Sequence, residues 1–200
     1  MKPARTLAQE AAEDIFFGQI VLIWARWFFI LAGAVLALWS AKTVPELTAT
    51  ILLVAALMAF NFLVHGRYLL ERPANRLLLT ALGVLDLIIV TALVLGWKGQ
   101  GGLQSELFIF YYPLVFAFAL VFPPPITAAY TLVVLGMYTA VCGWVDPAFI
   151  WDVGKVETLV MRLVTLAAMG GLGTYYWRIQ RTRRRAALGR PAAVSRRASA

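Results

Sequence analysis

Three polar side chains lie inside long apolar segments of this sequence, where they can do chemistry that their neighbours cannot. Arg26 stands in IWARWFF, Asn61 in AFNFLVHGR and Asp86 in GVLDLII. An ionisable side chain at such depth in a bilayer costs about 2.5–3.5 kcal/mol on insertion scales unless it is paired or faces water. We therefore predict a buried Arg26–Asp86 ion pair, with Asn61 satisfying leftover donors or acceptors. Such a pair either only fixes the register of the helices or takes part in ligand binding or signalling, and both interpretations stay open.

A second polar set lies towards the opposite ends of the apolar segments. Glu106 enters the fourth segment and Arg162 enters the last one at a comparable depth, with Gln104 and Ser105 nearby. Glu106 and Arg162 either form an ion pair or extend independently to the membrane interface.

The remaining candidates for catalysis or metal binding are few. His65 and Cys142 are the single histidine and the single cysteine, and no carboxylates surround them at ligand spacing. No Ser-His-acid or Cys-His set converges on a nucleophile. We therefore expect neither a metal site nor enzyme activity.

The composition of the chain predicts the kind of secondary structure in which these polar residues lie. The 200-residue chain is 62% hydrophobic and 14% charged, which is typical of membrane proteins. A bilayer span needs about 20 apolar residues. Small-residue pairs such as Ala167/Gly171 favour close helix packing. We predict an all-α integral membrane protein with a bundle of six transmembrane helices at about 17–39, 47–66, 77–97, 105–123, 125–145 and 158–177.

The arginines predict how the bundle is oriented. Arg67, Arg72 and Arg76 lie in one loop, and the run RIQRTRRR follows the last span, so both termini are expected in the cytoplasm. We divide the chain into a cytoplasmic N-terminal segment (1–15), the transmembrane domain (16–178) and a basic tail (179–200). The tail is expected to be disordered and attracted to anionic lipid headgroups, with no role in binding nucleic acid.

The segment GQGGLQSELFIFYYP resembles part of a known family. Asp86 in mid-helix, a Gly-Gly hinge and an aromatic helix entrance are similar to the six-helix membrane sensor region of bacterial histidine kinases. Arg26 followed by Trp27 fits the same family. In its RegB-type redox kinases a Gly-Gly-x-x-Asn-Pro-Phe segment is implicated in quinone binding. The resemblance implies a bacterial inner-membrane protein whose ligand site, with quinone a possible ligand, contains Gly101, Gly102, Gln104, Ser105, Phe108, Tyr111 and Tyr112.

This sequence departs from that pattern. Ser105 stands for the asparagine, Glu106 replaces the proline, and Phe108 comes one residue late. Alternatively, the glycines only permit a tight turn, and the aromatic side chains anchor at the lipid headgroups.

A full kinase carries a phosphoacceptor histidine and an ATP-binding domain after the last span. No histidine follows the last span here. We therefore expect a non-catalytic, sensor-like module that binds a small apolar ligand and acts through a protein partner or as a homo-oligomer. The alternatives are an accessory subunit of a larger respiratory or photosynthetic membrane complex and, less favoured, a small transporter.

Overall fold

The computed structural model describes residues 7–40, 43–69, 76–96 and 101–197, and this part of the chain contains helices and no strand. Short 3-10 segments lie at Gly102–Gln104, Glu106–Phe110 and Phe149–Trp151. The α-helices are α1 (Leu7–Ser40), α2 (Val44–Leu69), α3 (Arg76–Gly96), α4 (Tyr111–Val121), α5 (Pro124–Val145) and α6 (Val153–Arg197).

Four of these helices are long and apolar enough to cross a membrane. Their apolar stretches are Gly18–Leu36 in α1, Leu77–Leu95 in α3, Pro124–Val145 in α5 and Val153–Arg183 in α6. Shorter apolar helical stretches are Ile51–Arg67 and Glu106–Val121. The fold is thus all-helical with four helices of membrane-spanning length, as expected for a membrane protein.

Proline fixes the corner between α4 and α5. The amide of Phe122 donates to the carbonyl of Phe118 and closes α4. Pro124 then occupies the first turn of α5, where a missing amide hydrogen costs nothing. The hydroxyl of Thr127 donates to the carbonyl of Phe122 at 3.2 Å and so fastens the start of α5 to the end of α4.

The shortest helix, α4, lies at the centre of the packing and contacts α1, α5 and α6 extensively. Its Tyr111, Val115 and Ala119 are fully buried. The rings of Phe118 and Tyr130 stack with centroids 3.7 Å apart and so join α4 to α5. By contrast, α2 makes its extensive contacts with α1.

Close packing against α6 occurs at different glycines from the predicted one. Gly171 has open space beside it, whereas a Cβ on Gly170 would lie 2.7 Å from Oγ1 of Thr131. A Cβ on Gly173 would lie 2.5 Å from the Cβ of Ala119 on α4. The helix turns about 100° per residue, so Gly170 and Gly173 share the inward face and Gly171 does not. The Ala167/Gly171 prediction is therefore wrong about position.

The basic tail also differs from expectation. We predicted disorder for 179–200, whereas the backbone of α6 continues as helix to Arg197. Alanine and arginine are among the strongest helix formers, so a stretch rich in both extends a helix that packing has already nucleated. At the other end, α1 begins at Leu7, inside the segment 1–15 that we had placed before the first span.

Candidate ligand cavity

Arg26 on α1 and Asp86 on α3 form the ion pair that their positions in the sequence predict. Nη2 of Arg26 lies 2.8 Å from Oδ1 of Asp86, and Nε donates to the same oxygen at 3.1 Å. The two side chains are only 6% and 15% exposed. The guanidinium carbon also lies 5.1 Å from the ring centroid of Phe60 on α2. One side chain of α1 thus touches both α2 and α3.

Asn61 forms no hydrogen bond with Arg26 or Asp86, so that part of the prediction is wrong. Its side chain is fully buried, yet neither Nδ2 nor Oδ1 has a hydrogen-bond partner. The residue of α2 that contacts the guanidinium is Phe60, the neighbour of Asn61 along the helix. Nη1 of Arg26 is likewise left without a partner.

A cavity of about 500 Å³ lies between α1, α2, α3 and the 3-10 helix Glu106–Phe110. It exists because α2 packs mainly against α1 and does not close onto α3. The Arg26–Asp86 pair lies in its wall, and the lining on α1 continues to Leu36 and Trp39. At about 1.5 Å of rise per residue, the thirteen steps from Arg26 to Trp39 place the cavity lining along about 20 Å of α1.

The lining is mainly apolar, with a few polar groups among aliphatic and aromatic side chains. Arg26, Asp86, Ser105 and Glu106 are the polar or charged residues in it. The apolar lining is Phe29, Ile30, Gly33, Ala34, Leu36, Trp39, Leu53, Val54, Leu57, Ile89, Val90, Leu93, Leu107, Ile109, Phe110 and Leu114. A volume of this size and a few convergent polar groups are typical of sites for small molecules.

Glu106 and Arg162 do not form the ion pair that we had considered. Nη1 of Arg162 donates to the hydroxyl of Tyr138 at 2.7 Å, and the guanidinium carbon lies 3.7 Å from the ring centroid of Phe108. Glu106 lines the cavity instead. Four of the five residues of this 3-10 helix, Glu106, Leu107, Ile109 and Phe110, line the cavity, whereas Phe108 packs against Arg162.

The two glycines of the hinge serve a tight turn. Gly102 has a φ of +59°, a conformation that favours glycine. A Cβ there would lie 3.3 Å from the Cα of Cys142 on α5, and a Cβ on Gly101 would lie 2.4 Å from the carbonyl oxygen of Leu95. Neither glycine lines the cavity. Their geometry supports the alternative in which they permit a close turn.

The aromatic residues of the segment gather around Tyr138 on α5 and not around the cavity. The ring centroids of Phe108 and Tyr112 lie 5.5 Å apart, and those of Phe108 and Tyr111 lie 6.2 and 5.6 Å from that of Tyr138. The hydroxyl of Tyr111 donates to Thr91 at 2.9 Å from a fully buried position. The hydroxyl of Tyr112 donates to Thr165 on α6 at 3.3 Å. Among the seven residues of the predicted ligand site, Ser105 lines the cavity, and Gly101, Gly102, Gln104, Phe108, Tyr111 and Tyr112 do not. The structure therefore does not bring the predicted site together around this cavity.

We did not predict most of the residues that line the cavity, although their spacing in the sequence indicates them. On α1 the lining residues Arg26, Phe29, Ile30 and Gly33 follow the i, i+3, i+4, i+7 spacing of one helix face. On α3 the residues at 86, 89, 90 and 93 follow the same spacing. The helix faces of α1 and α3 that contain Arg26 and Asp86 therefore indicate the surface that lines the cavity.

Within the described ranges, no three His, Cys, Asp or Glu side chains come together to hold a metal ion. Comparisons of the chain with protein-family models, with curated proteins and with solved structures find no significant match.

Proposed function

We propose that this chain is a non-catalytic module of the bacterial inner membrane that binds a small apolar molecule in the cavity between α1, α2 and α3. The observation that carries the proposal is the cavity itself. It holds about 500 Å³, its lining is mainly apolar, and an ion pair and Glu106 lie in its wall. A cavity beside a buried ion pair allows an occupant to change how three helices sit together, which is what a sensor needs.

The proposal includes six membrane spans with both termini in the cytoplasm. α2 has 26 residues, about 39 Å at about 1.5 Å per residue, and its apolar stretch Ile51–Arg67 covers about 25 Å of the roughly 30 Å of a hydrocarbon core. The apolar stretch Glu106–Val121 is shorter, and its central place in the packing supports a span that is completed by neighbouring helices. Reporter fusions at each end test the orientation. Termini on opposite sides would overturn it.

Quinone is one candidate occupant, through the resemblance to the sensor region of RegB-type kinases. The residues that would meet it differ from those that the resemblance implies, because the cavity is lined by Ser105 and Phe110 and by faces of α1 to α3. A signal would pass to a protein partner or a second copy of the chain. The arginine-rich end of α6 would add attraction to anionic headgroups.

A cavity-filling substitution tests the binding site. Leu57 on α2 lines the cavity, so Leu57→Trp should remove binding of a small naphthoquinone such as menadione. Leu52, also on α2, is 65% exposed and lies outside the lining, so Leu52→Trp is the matched control. The measurement is equilibrium binding to the full chain in lipid nanodiscs, with empty discs subtracted.

Wild-type and Leu52→Trp proteins should bind the probe, and Leu57→Trp should not. Equal binding by all three proteins would mean that the probe occupies another place, and the cavity proposal would fail.

The accessory-subunit alternative has one observation in its favour. The outer face of α1 exposes Trp24, Phe28 and Leu31, each about two-thirds accessible, and either lipid or a neighbouring protein can cover such a face. Purification of the native protein in a gentle detergent distinguishes the two. Stable migration with a large complex favours the accessory role, and migration alone with a bound small molecule favours the sensor-like module.

A further inference from the structure

The charges around the cavity do not balance. Arg26 and Asp86 neutralise one another through contacts of 2.8 and 3.1 Å. Glu106 is the other charged residue in the lining, and it makes neither a hydrogen bond nor an ion pair with the described residues. The cavity therefore carries one surplus carboxylate.

Among the described residues, the arginines nearest this carboxylate are bound to other groups. Arg162 is held on the other side of the 3-10 helix by the hydroxyl of Tyr138 and the ring of Phe108. Nε and Nη2 of Arg26 both contact Oδ1 of Asp86. Glu106 itself is exposed, so its carboxylate is accessible to an occupant of the cavity.

The remaining lining suits the same kind of occupant. Phe29 and Phe110 contribute aromatic side chains to the walls. Aromatic faces attract cations within about 6 Å, and the aliphatic side chains beside them accommodate an apolar body. The other charged residues of the described lining are Arg26 and Asp86, which pair with each other.

We infer that the ligand of this cavity is a lipophilic cation, an apolar molecule whose positive group is bound by Glu106. The inference rests on the proposed function, since it specifies the chemical class of the molecule bound there. The apolar body lies against α1, α2 and α3, and the positive group lies at the 3-10 helix. A neutral quinone of similar size would bind more weakly, because it has no charge that the carboxylate can attract.

Two probes of matched shape and opposite charge test the inference. Tetraphenylphosphonium and tetraphenylborate carry the same four phenyl groups, and binding of each is measured by equilibrium dialysis against the full chain in nanodiscs of neutral lipid. The variants are Glu106→Gln, Glu106→Asp and Glu157→Gln. Glu157 is an exposed carboxylate of α6 outside the cavity lining and serves as the control.

The wild-type protein should bind the phosphonium about tenfold more tightly than the borate, because the carboxylate of Glu106 attracts the cation and repels the anion. Glu106→Gln should abolish this preference, Glu106→Asp should keep most of it, and Glu157→Gln should leave it unchanged. Loss of all binding in Leu57→Trp places both probes in the cavity.

The possible failures are distinguishable. Equal binding of the two probes, lost in Leu57→Trp, would overturn the charge inference and leave the binding cavity in place. A cation preference that persists in Glu106→Gln would also overturn the inference. Binding that Leu57→Trp does not affect would overturn the cavity proposal and the inference together.

Discussion

The Arg26–Asp86 pair should dominate the stability of the α1–α3 contact, and removing either partner should be costly. Asp86→Leu leaves a guanidinium, with an exposed side-chain fraction of only 6%, without its carboxylate. Arg26→Met leaves the carboxylate without its cation. Replacing both residues together leaves neither charge behind.

The burial of the pair determines how much stability each substitution should cost. Breaking a buried pair by removing one partner costs about 3–5 kcal/mol, because an uncompensated charge remains. We expect Asp86→Leu at the upper end, since a guanidinium cannot lose its proton. Arg26→Met should be milder, since a carboxyl group can be neutralised by a proton. The double substitution should lie within about 1 kcal/mol of wild type, because apolar replacements of buried pairs are often neutral.

The assay is the free energy of unfolding in mixed micelles, followed by far-ultraviolet circular dichroism as denaturing detergent is added. With single losses of about 3–5 kcal/mol and a double loss within about 1 kcal/mol, the double-mutant cycle should give a coupling energy of at least about 5 kcal/mol, because each single variant leaves a buried charge without its partner. Asp146→Asn is the control, because the Asp146–Lys155 pair is exposed and such pairs contribute little. It should change the free energy of unfolding by no more than about 1 kcal/mol.

A double variant that loses as much stability as the two single variants combined would refute this reasoning. It would mean that Arg26 and Asp86 contribute independently, and that their contact in the structure carries no energetic coupling.

The remaining predictions concern helix packing and the α5–α6 connection. Gly173→Ala should lower the free energy of unfolding by about 1–3 kcal/mol, since the new methyl would meet Ala119 at 2.5 Å, whereas Gly171→Ala, with open space around it, should be neutral or stabilising. The hydrogen bond from Lys155 lowers the pKa of Asp146 from its ordinary 3.8. The folded state therefore gains stability from this carboxylate above that value and loses it as pH falls through the lowered pKa. Lys155→Met should move the pKa of Asp146 back towards 3.8 in a carboxyl-carbon NMR titration, and an unchanged pKa would contradict the assignment.

The ion pair was predictable because each partner lies alone in a long apolar segment. Lipid offers no solvation, so a lone arginine and a lone aspartate at similar depth have strong reason to meet. Asn61 was assigned wrongly, because depth along a helix says nothing about direction around it. Phe60 occupies the face that the prediction gave to Asn61.

The outer residues were harder to place for a related reason. The sequence put Glu106 and Arg162 at one depth, but the 3-10 form of Glu106–Phe110 turns Glu106 to the cavity and Phe108 to Arg162. Nothing in the local pattern distinguishes a 3-10 turn from the start of an α-helix here.

By itself the sequence determined an all-helical chain with apolar stretches of membrane-spanning length, because burial of backbone polar groups in lipid leaves few other choices. It also determined the Arg26–Asp86 pair, and it offered the tight turn at Gly101 and Gly102 as one of two alternatives. Tertiary structure alone decided that α2 stands away from α3 and leaves a cavity, that Glu106 faces it, and that Tyr111 and Tyr112 point elsewhere. Those outcomes depend on rotation of each helix about its axis, which is set by the side chains of its neighbours.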